Sequence, residues 1–237
     1  MQQLTPKLVG ALADEQVVAV AAALDHSMAV TATGRLYTFG GGGNGQLGHG
    51  DAQRQQTPKL VDALANTQVV AVAAGTYHSL AATSDGKAFS WVFKVNGRLG
   101  QGDVTADCLV PKQMTALAGQ RAVQVHAGGE HSLMATVGGA VFSCGCSNVG
   151  QFGHGDVEER WVPTAVTALA SQRVVSATAG DNSSLVATFG GRVLRWGAIN
   201  PEYDDDDEIV APEQYVQPSV LWTSRAWRRV SFACPVP

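Results

Sequence analysis

Apolar residues in this chain come in runs of four to six positions, each closed by glycine, Asp-Gly or Thr-Gly. Val69 to Ala74, Ser79 to Thr83 and Lys87 to Val92 form one such set, preceded by Lys59-Leu60-Val61. Runs this short, alternating or uniformly apolar and bounded by turn residues, predict β-strands. Four of them per unit predict an antiparallel blade with tight turns between consecutive strands. The alanine-rich stretch from Ala11 to Ala23 suits a helix on propensity alone. Its counterpart from Val69 to Gly75 is β-branched, short and stopped by glycine. Equivalent positions of a repeat share one structure, so both are predicted as strand.

The pattern recurs along the chain. Gly45-Gln46-Leu47-Gly48-His49-Gly50-Asp51 returns as Gly97-Arg98-Leu99-Gly100-Gln101-Gly102-Asp103 and as Gly150-Gln151-Phe152-Gly153-His154-Gly155-Asp156, 52 and then 53 residues on. A period of that size places the chain among solenoids and propellers. A phosphate-cradling loop would need lysine followed by serine or threonine after its last glycine, and none of the three copies has it. Other marks keep the register: Pro6, Pro58, Pro111 and Pro163 open the units, and Val18, Val70, Val123 and Val175 follow twelve residues later. The pairs His26-Ser27, His78-Ser79 and His131-Ser132, with Ser183-Ser184 in the fourth unit, precede turn glycines Gly34, Gly86, Gly139 and Gly191. The units run from about 6 to 57, 58 to 110, 111 to 162 and 163 to 217. Pro218 and Val230, twelve residues apart, begin a partial fifth over 218–237. Stopping inside a unit predicts an open arc with an exposed strand edge and an uncovered apolar face.

Three further features bear on chemistry. Tyr37 and Phe39, Phe89 and Trp91, Phe142 and Trp196 follow the turn glycines among Gly, Ser, Thr and Val, not among the basic residues of a nucleic-acid groove. They are predicted to pack between blades, and direct nucleic-acid binding is not expected. His26, His78 and His131 share one register and sit in different units. Each is predicted to fix a turn by bonding backbone carbonyls, helped by its serine, since a three-histidine metal site would need the rings within about 5 Å of one another. Neither a metal nor a cofactor is expected. No Ser/His/Asp set, carboxylate pair or activated cysteine can be argued from the spacings, so no catalytic residue is assigned.

Composition narrows the picture. The 237 residues include 27 glycines, only 15% are charged, and no apolar run approaches the length of a membrane helix. The four cysteines are read as reduced, and the start carries neither a basic flank nor an apolar core. Cytoplasmic or nuclear residence is expected. The net charge of −4 is dominated by an insert at 201–214: Glu202, Asp204, Asp205, Asp206, Asp207, Glu208 and Glu213 carry −7, leaving +3 elsewhere. Such a run is expected to be a solvated loop or a docking patch for a basic protein; calcium binding is a third reading, though the spaced oxygen ligands and central glycine of an EF-hand are lacking.

Taken together, the proline, the Val-x-Val-Ala-x-Gly strand, His-Ser, the aromatic strand and Gly-Gln-Leu-Gly-His-Gly-Asp resemble the regulator of chromosome condensation repeat. The resemblance implies an all-β fold, a β-propeller of four-stranded antiparallel blades, here incomplete or open where the family usually has seven. It spans an exchange factor for the GTPase Ran, a plant ultraviolet-B photoreceptor, HERC-type ubiquitin ligases and inhibitors of secreted enzymes. The function expected is a non-enzymatic protein-interaction module. The alternatives are an exchange factor for a small GTPase and the partner-binding domain of a HERC-type ligase. The turns before the His-Ser register, Leu24-Asp25, Thr76-Tyr77, Gly129-Glu130 and Asp181-Asn182, lack the tryptophan and arginine of the photoreceptor. Photoreception is therefore not expected; these turns share one polar, mildly acidic face, and partner binding is assigned to Asp25, Tyr77, Glu130, Asp181 and Asn182, together with Asp204 to Asp207. The architecture is assigned to His26, His78, His131, Gly48, Gly100 and Gly153. Self-association through the open ends is expected, and a membrane partner is not.

Overall fold

The computed structural model describes residues 4–92, 97–102, 108–146 and 148–198, and the backbone of 219–223. Asp204 to Asp207 and the partial fifth unit beyond Thr223 lie outside the described residues. Among the described residues, sixteen strands form four antiparallel sheets, each a four-strand meander in chain order. The first holds β1 (Val17–Ala22), β2 (His26–Thr31), β3 (Leu36–Gly40) and β4 (Gln55–Leu60). The second holds β5 (Val69–Ala74), β6 (Ser79–Thr83), β7 (Ala88–Val92) and β8 (Cys108–Gln113). The third holds β9 (Ala122–Ala127), β10 (His131–Thr136), β11 (Val141–Gly145) and β12 (Arg160–Ala165). The fourth holds β13 (Val174–Ala179), β14 (Ser183–Thr188), β15 (Arg192–Gly197) and β16 (Ser219–Thr223). Strand β1 lies within the alanine-rich stretch that propensity would make helical.

The sheets are out of phase with the sequence period. Pro58, Pro111 and Pro163 lie in β4, β8 and β12, the last strands of their sheets. Proline lacks the N–H a central strand must donate, so it settles on an edge. The proline that opens a sequence unit thus sits in the strand that closes the preceding blade. A short 3-10 turn then carries the chain to the next sheet, and its leucine (Leu64, Leu117 or Leu169) is buried between the two blades.

Consecutive blades pack face to face, so the second and third are sandwiched between neighbours. Met28, Val30 and Leu36 of the first blade, with Val61 and Leu64, pack on Val69, Ala81 and Trp91 of the second. Leu80, Ala82 and Ala88 meet Val125, Met134 and Cys144. Leu133, Ala135 and Val141 meet Ala177, Val186 and Trp196. Strands β6 and β10 are consequently buried on both faces, which is why they read as nearly continuous apolar runs. Among the described residues, inter-sheet contacts run first to second, second to third and third to fourth, and these four sheets do not close into a ring. The first strands of the four sheets line one groove of about 380 Å³. There Gln124 stitches β9 to β13, donating to the Val175 carbonyl at 2.9 Å and accepting from Ala177 N–H at 3.2 Å.

Candidate functional site

The repeat histidines join blades. His26 Nε2 lies 2.7 Å from Ser79 Oγ, His78 Nε2 lies 2.9 Å from Ser132 Oγ, and His131 Nε2 lies 3.0 Å from Ser184 Oγ. The expectation that each histidine bonds backbone carbonyls of its own turn is corrected: its partner is the serine of the following blade. Each serine donates its single proton to a carbonyl of the signature loop, Ser79 to Gln46 (2.8 Å), Ser132 to Arg98 (2.7 Å) and Ser184 to Gln151 (2.7 Å). The serine oxygen is therefore the acceptor from histidine, which fixes the neutral Nε2–H tautomer. The Nδ1 atoms are buried without a partner. Burial holds His26 and His131 at about 4 and pushes His78 well down. Gly75 and Gly128 make room, because a Cβ on either would meet the next imidazole in its own blade.

The same carbonyls receive the aromatic anchors. Trp91 Nε1 donates to the Gln46 carbonyl and Trp196 Nε1 to that of Gln151, both at 2.8 Å. Gly48 and Gly153, two residues further on in these loops, have φ of +78° and +77° and lie against those indoles. Gly100 takes the same place against Cys144 and Pro163. The signature loop of one blade thus grips the third strand of the next.

The turn face is separate from these latches. Asp25, Asp181 and Asn182 are exposed and Tyr77 is half-exposed. Neighbouring turns are bonded to one another: Thr76 N–H donates to the Gly128 carbonyl at 3.4 Å, and Gly129 N–H to that of Asp181 at 2.9 Å. The Asp25 carbonyl accepts from Gly41 N–H at 2.6 Å within its own blade. Tyr77 and Glu130 are brought together by a residue that sequence reasoning missed. Arg98, only 3% exposed, donates from Nη2 to Glu130 Oε1 at 3.1 Å, and its guanidinium carbon lies 5.3 Å from the Tyr77 ring centroid.

Arg98 stands where the other signature loops have glutamine. Gln46 and Gln151 use Oε1 to accept a backbone N–H two residues upstream, from Asn44 and Val149. Arginine has no acceptor and reaches across to the turns instead. The second repeat departs once more, with Val92 where the others have Gly40, Gly145 and Gly197. Both departures fall in the blade that carries Tyr77. Among the described residues no group of three or more His, Cys, Asp or Glu is placed to hold a metal ion, and no helix is long and apolar enough to cross a membrane.

Four consecutive blades latched in this way define a propeller repeat protein. The sequence profile of the regulator of chromosome condensation (RCC1) repeat matches residues 33–82, 85–135 and 138–187, and a second profile of that repeat matches 17–46. The chain belongs to the RCC1 repeat family. It is 33% identical over 193 residues to the ultraviolet-B receptor UVR8 of Arabidopsis thaliana, which covers 81% of this chain and 44% of the receptor. It is 36% identical over 194 residues to the human E3 ubiquitin-protein ligase HERC2, again over 81% of this chain but 4% of the ligase. Among solved structures, Prp20p of Saccharomyces cerevisiae superposes with a TM-score of 0.73 at 21% identity, over 90% of this chain and 52% of Prp20p. The chain thus spans about half or less of these relatives.

Proposed function

We propose that this chain is a non-enzymatic protein-binding module whose turn face, at the second and third blades, takes a basic segment of a partner protein. The observation that carries this reading is the buried Arg98, which holds Tyr77 on one side and Glu130 on the other. An aromatic ring fixed in place yet 43% exposed is a preorganised anchor, because little rotamer freedom remains to be lost on binding. The exposed Asp25 and Asp181 set the sign of the face, since Arg98 offsets the charge of Glu130, and Asp204 to Asp207 carry the same charge preference. Prp20p, which shares the fold, has binding properties toward Gsp1p and histones, and histones are basic. A cytoplasmic or nuclear setting suits such a partner.

Fluorescence anisotropy with a lysine- and arginine-rich peptide tests this. Tyr77→Ala is expected to weaken binding at least about tenfold, roughly 1.4 kcal/mol. Affinity should also decline as salt rises past about 0.15 M, where the Debye length is about 8 Å. Unchanged affinity in the Tyr77 variant contradicts the assignment. The second reading, an exchange factor for a small GTPase, is favoured by the binding properties of Prp20p toward Gsp1p. Accelerated nucleotide release from a GTPase panel would establish it, and a ligase role would place this module beside a catalytic domain as in HERC2.

A further inference from the structure

In an antiparallel meander, alternate turns fall at opposite ends of the sheet. Asp25, Tyr77, Glu130 and Asp181 sit between the first and second strands of their blades, so the turns between second and third strands lie on the far face. The segments that lead into each first strand lie there too. One backbone bond joins these two parts in every blade. The residue after a buried threonine donates its N–H to the residue just before the first strand: Ala32 to Gln16, Ser84 to Gln68 and Phe189 to Arg173 at 2.8 Å, and Val137 to Arg121 at 2.9 Å.

The outer residue of this bond is exposed in all four blades, including the second and third, which have a neighbour on each side. Exposure therefore belongs to the turn itself. The first two blades place Ala32 and Ser84 there, beside glutamine. The third and fourth place Val137 and Phe189, 59% and 73% exposed, beside arginine. The Arg173 guanidinium carbon lies 5.2 Å from the centroid of the Phe189 ring and steadies it in water.

Charge divides the far face along the same line. Segments 9–16, 32–35, 61–68 and 84–87 carry Asp14, Glu15, Asp62 and Asp85 against Arg35 and Lys87, four negative and two positive, or −2. Both cations are engaged, Arg35 with Glu15 at 2.8 Å and Lys87 with Asp85 at 2.6 Å. The equivalent segments of the next two blades, 114–121, 137–140, 166–173 and 189–192, carry Arg121, Arg173 and Arg192 and no carboxylate, or +3. Among the described residues none of these three arginines has an ion-pair partner. The third and fourth blades pack on each other, so the two stations are neighbours on one surface.

We infer that this half of the far face docks a protein segment in which acidic side chains flank a large apolar one. Phe189 and Val137 take the apolar side chain, and Arg121 and Arg173 take the carboxylates through their planar forks. No existing ion pair has to be broken. Three cations beside two apolar side chains suit a peptide better than a nucleic acid, whose binding draws on many phosphate contacts and a series of stacked aromatics. The two ends of the blades thus prefer segments of opposite charge.

Fluorescence anisotropy with a labelled peptide of glutamates flanking a leucine pair tests the inference. The wild-type chain is expected to bind it, with affinity declining as salt rises. Phe189→Ala should weaken binding at least about tenfold, and Arg121→Glu combined with Arg173→Glu should do so further. Lys87→Ala removes a paired cation from the other half and should leave affinity within about twofold. A peptide of glutamates alone should bind at least about tenfold more weakly than the leucine peptide. All these side chains are exposed, and urea midpoints matching wild type keep lost binding separate from unfolding. Absence of binding, wild-type affinity in Phe189→Ala, an equal loss in Lys87→Ala, or equal binding of the all-glutamate peptide would each overturn the inference. So would a single-stranded oligonucleotide that binds more tightly than the peptide and is lost in the same variants.

Discussion

Gly153→Val is expected to cost about 3–5 kcal/mol of stability, and Gly48→Val a similar amount. Two costs combine at each position. A β-branched residue at φ of +77° or +78° is sterically penalised. The added Cβ would also lie 2.8 Å from Nε1 of Trp196 or of Trp91, each fully buried and bonded to the carbonyl two residues before the glycine. The indole cannot retreat without giving up that bond and the packing of the next blade. Gly50→Ala supplies the control, because φ there is +85° but the nearest atom to a new Cβ is 3.5 Å away. It should cost only about 1 kcal/mol, the backbone penalty alone. Urea unfolding of Gly153→Ala beside Gly50→Ala isolates the packing component, and equal losses would mean that the loop does not grip the tryptophan.

The second large effect is acid sensitivity. His26 and His131 have folded-state values of about 4 against 6.5 when unfolded. In the interval between, the unfolded chain binds protons that the folded chain refuses. Their contribution is therefore fully present above pH 6.5, is lost as pH falls, and is exhausted by about pH 4. At 1.36 kcal/mol per unit, the loss is on the order of 3 kcal/mol for each. His78 acts in the same direction, and His126, held at about 4 by burial, adds a contribution from outside the latches. Urea midpoints at pH 7 and pH 5 should differ accordingly. In His131→Gln the pH 7 midpoint should be lower and the pH dependence shallower, whereas a wild-type slope would remove His131 from the account.

Much of the fold was legible because the repeat multiplies every signal. Strand lengths, turn glycines and buried aromatics followed from short apolar runs recurring at one period. The blade phase did not, since proline was read as an opening mark when its missing N–H suits a closing edge strand. The role of the histidines was hidden for a different reason. Their partners lie 53 or 54 residues away at the next serine of the same register, and contacts between equivalent positions leave no local trace. The turn residues were recognisable as surface, but only the structure joins Tyr77 to Glu130. The one available hint was Gly97-Arg98-Leu99-Gly100, where arginine replaces glutamine within a conserved-looking spacing. Read as one copy among three, it passed for a variation of the turn.

The central claim is that the recurring histidines are neutral interblade latches, which leaves the turn face for partners. Long-range nitrogen–proton NMR correlations of the histidine rings test this most directly, because they report tautomer and charge at each ring. The account predicts that His26, His78 and His131 are all Nε2–H tautomers, and that His26 and His131 stay neutral until the pH approaches about 4. Rings that carry the proton on Nδ1, or that titrate near 6.5 while the chain is still folded, would contradict it.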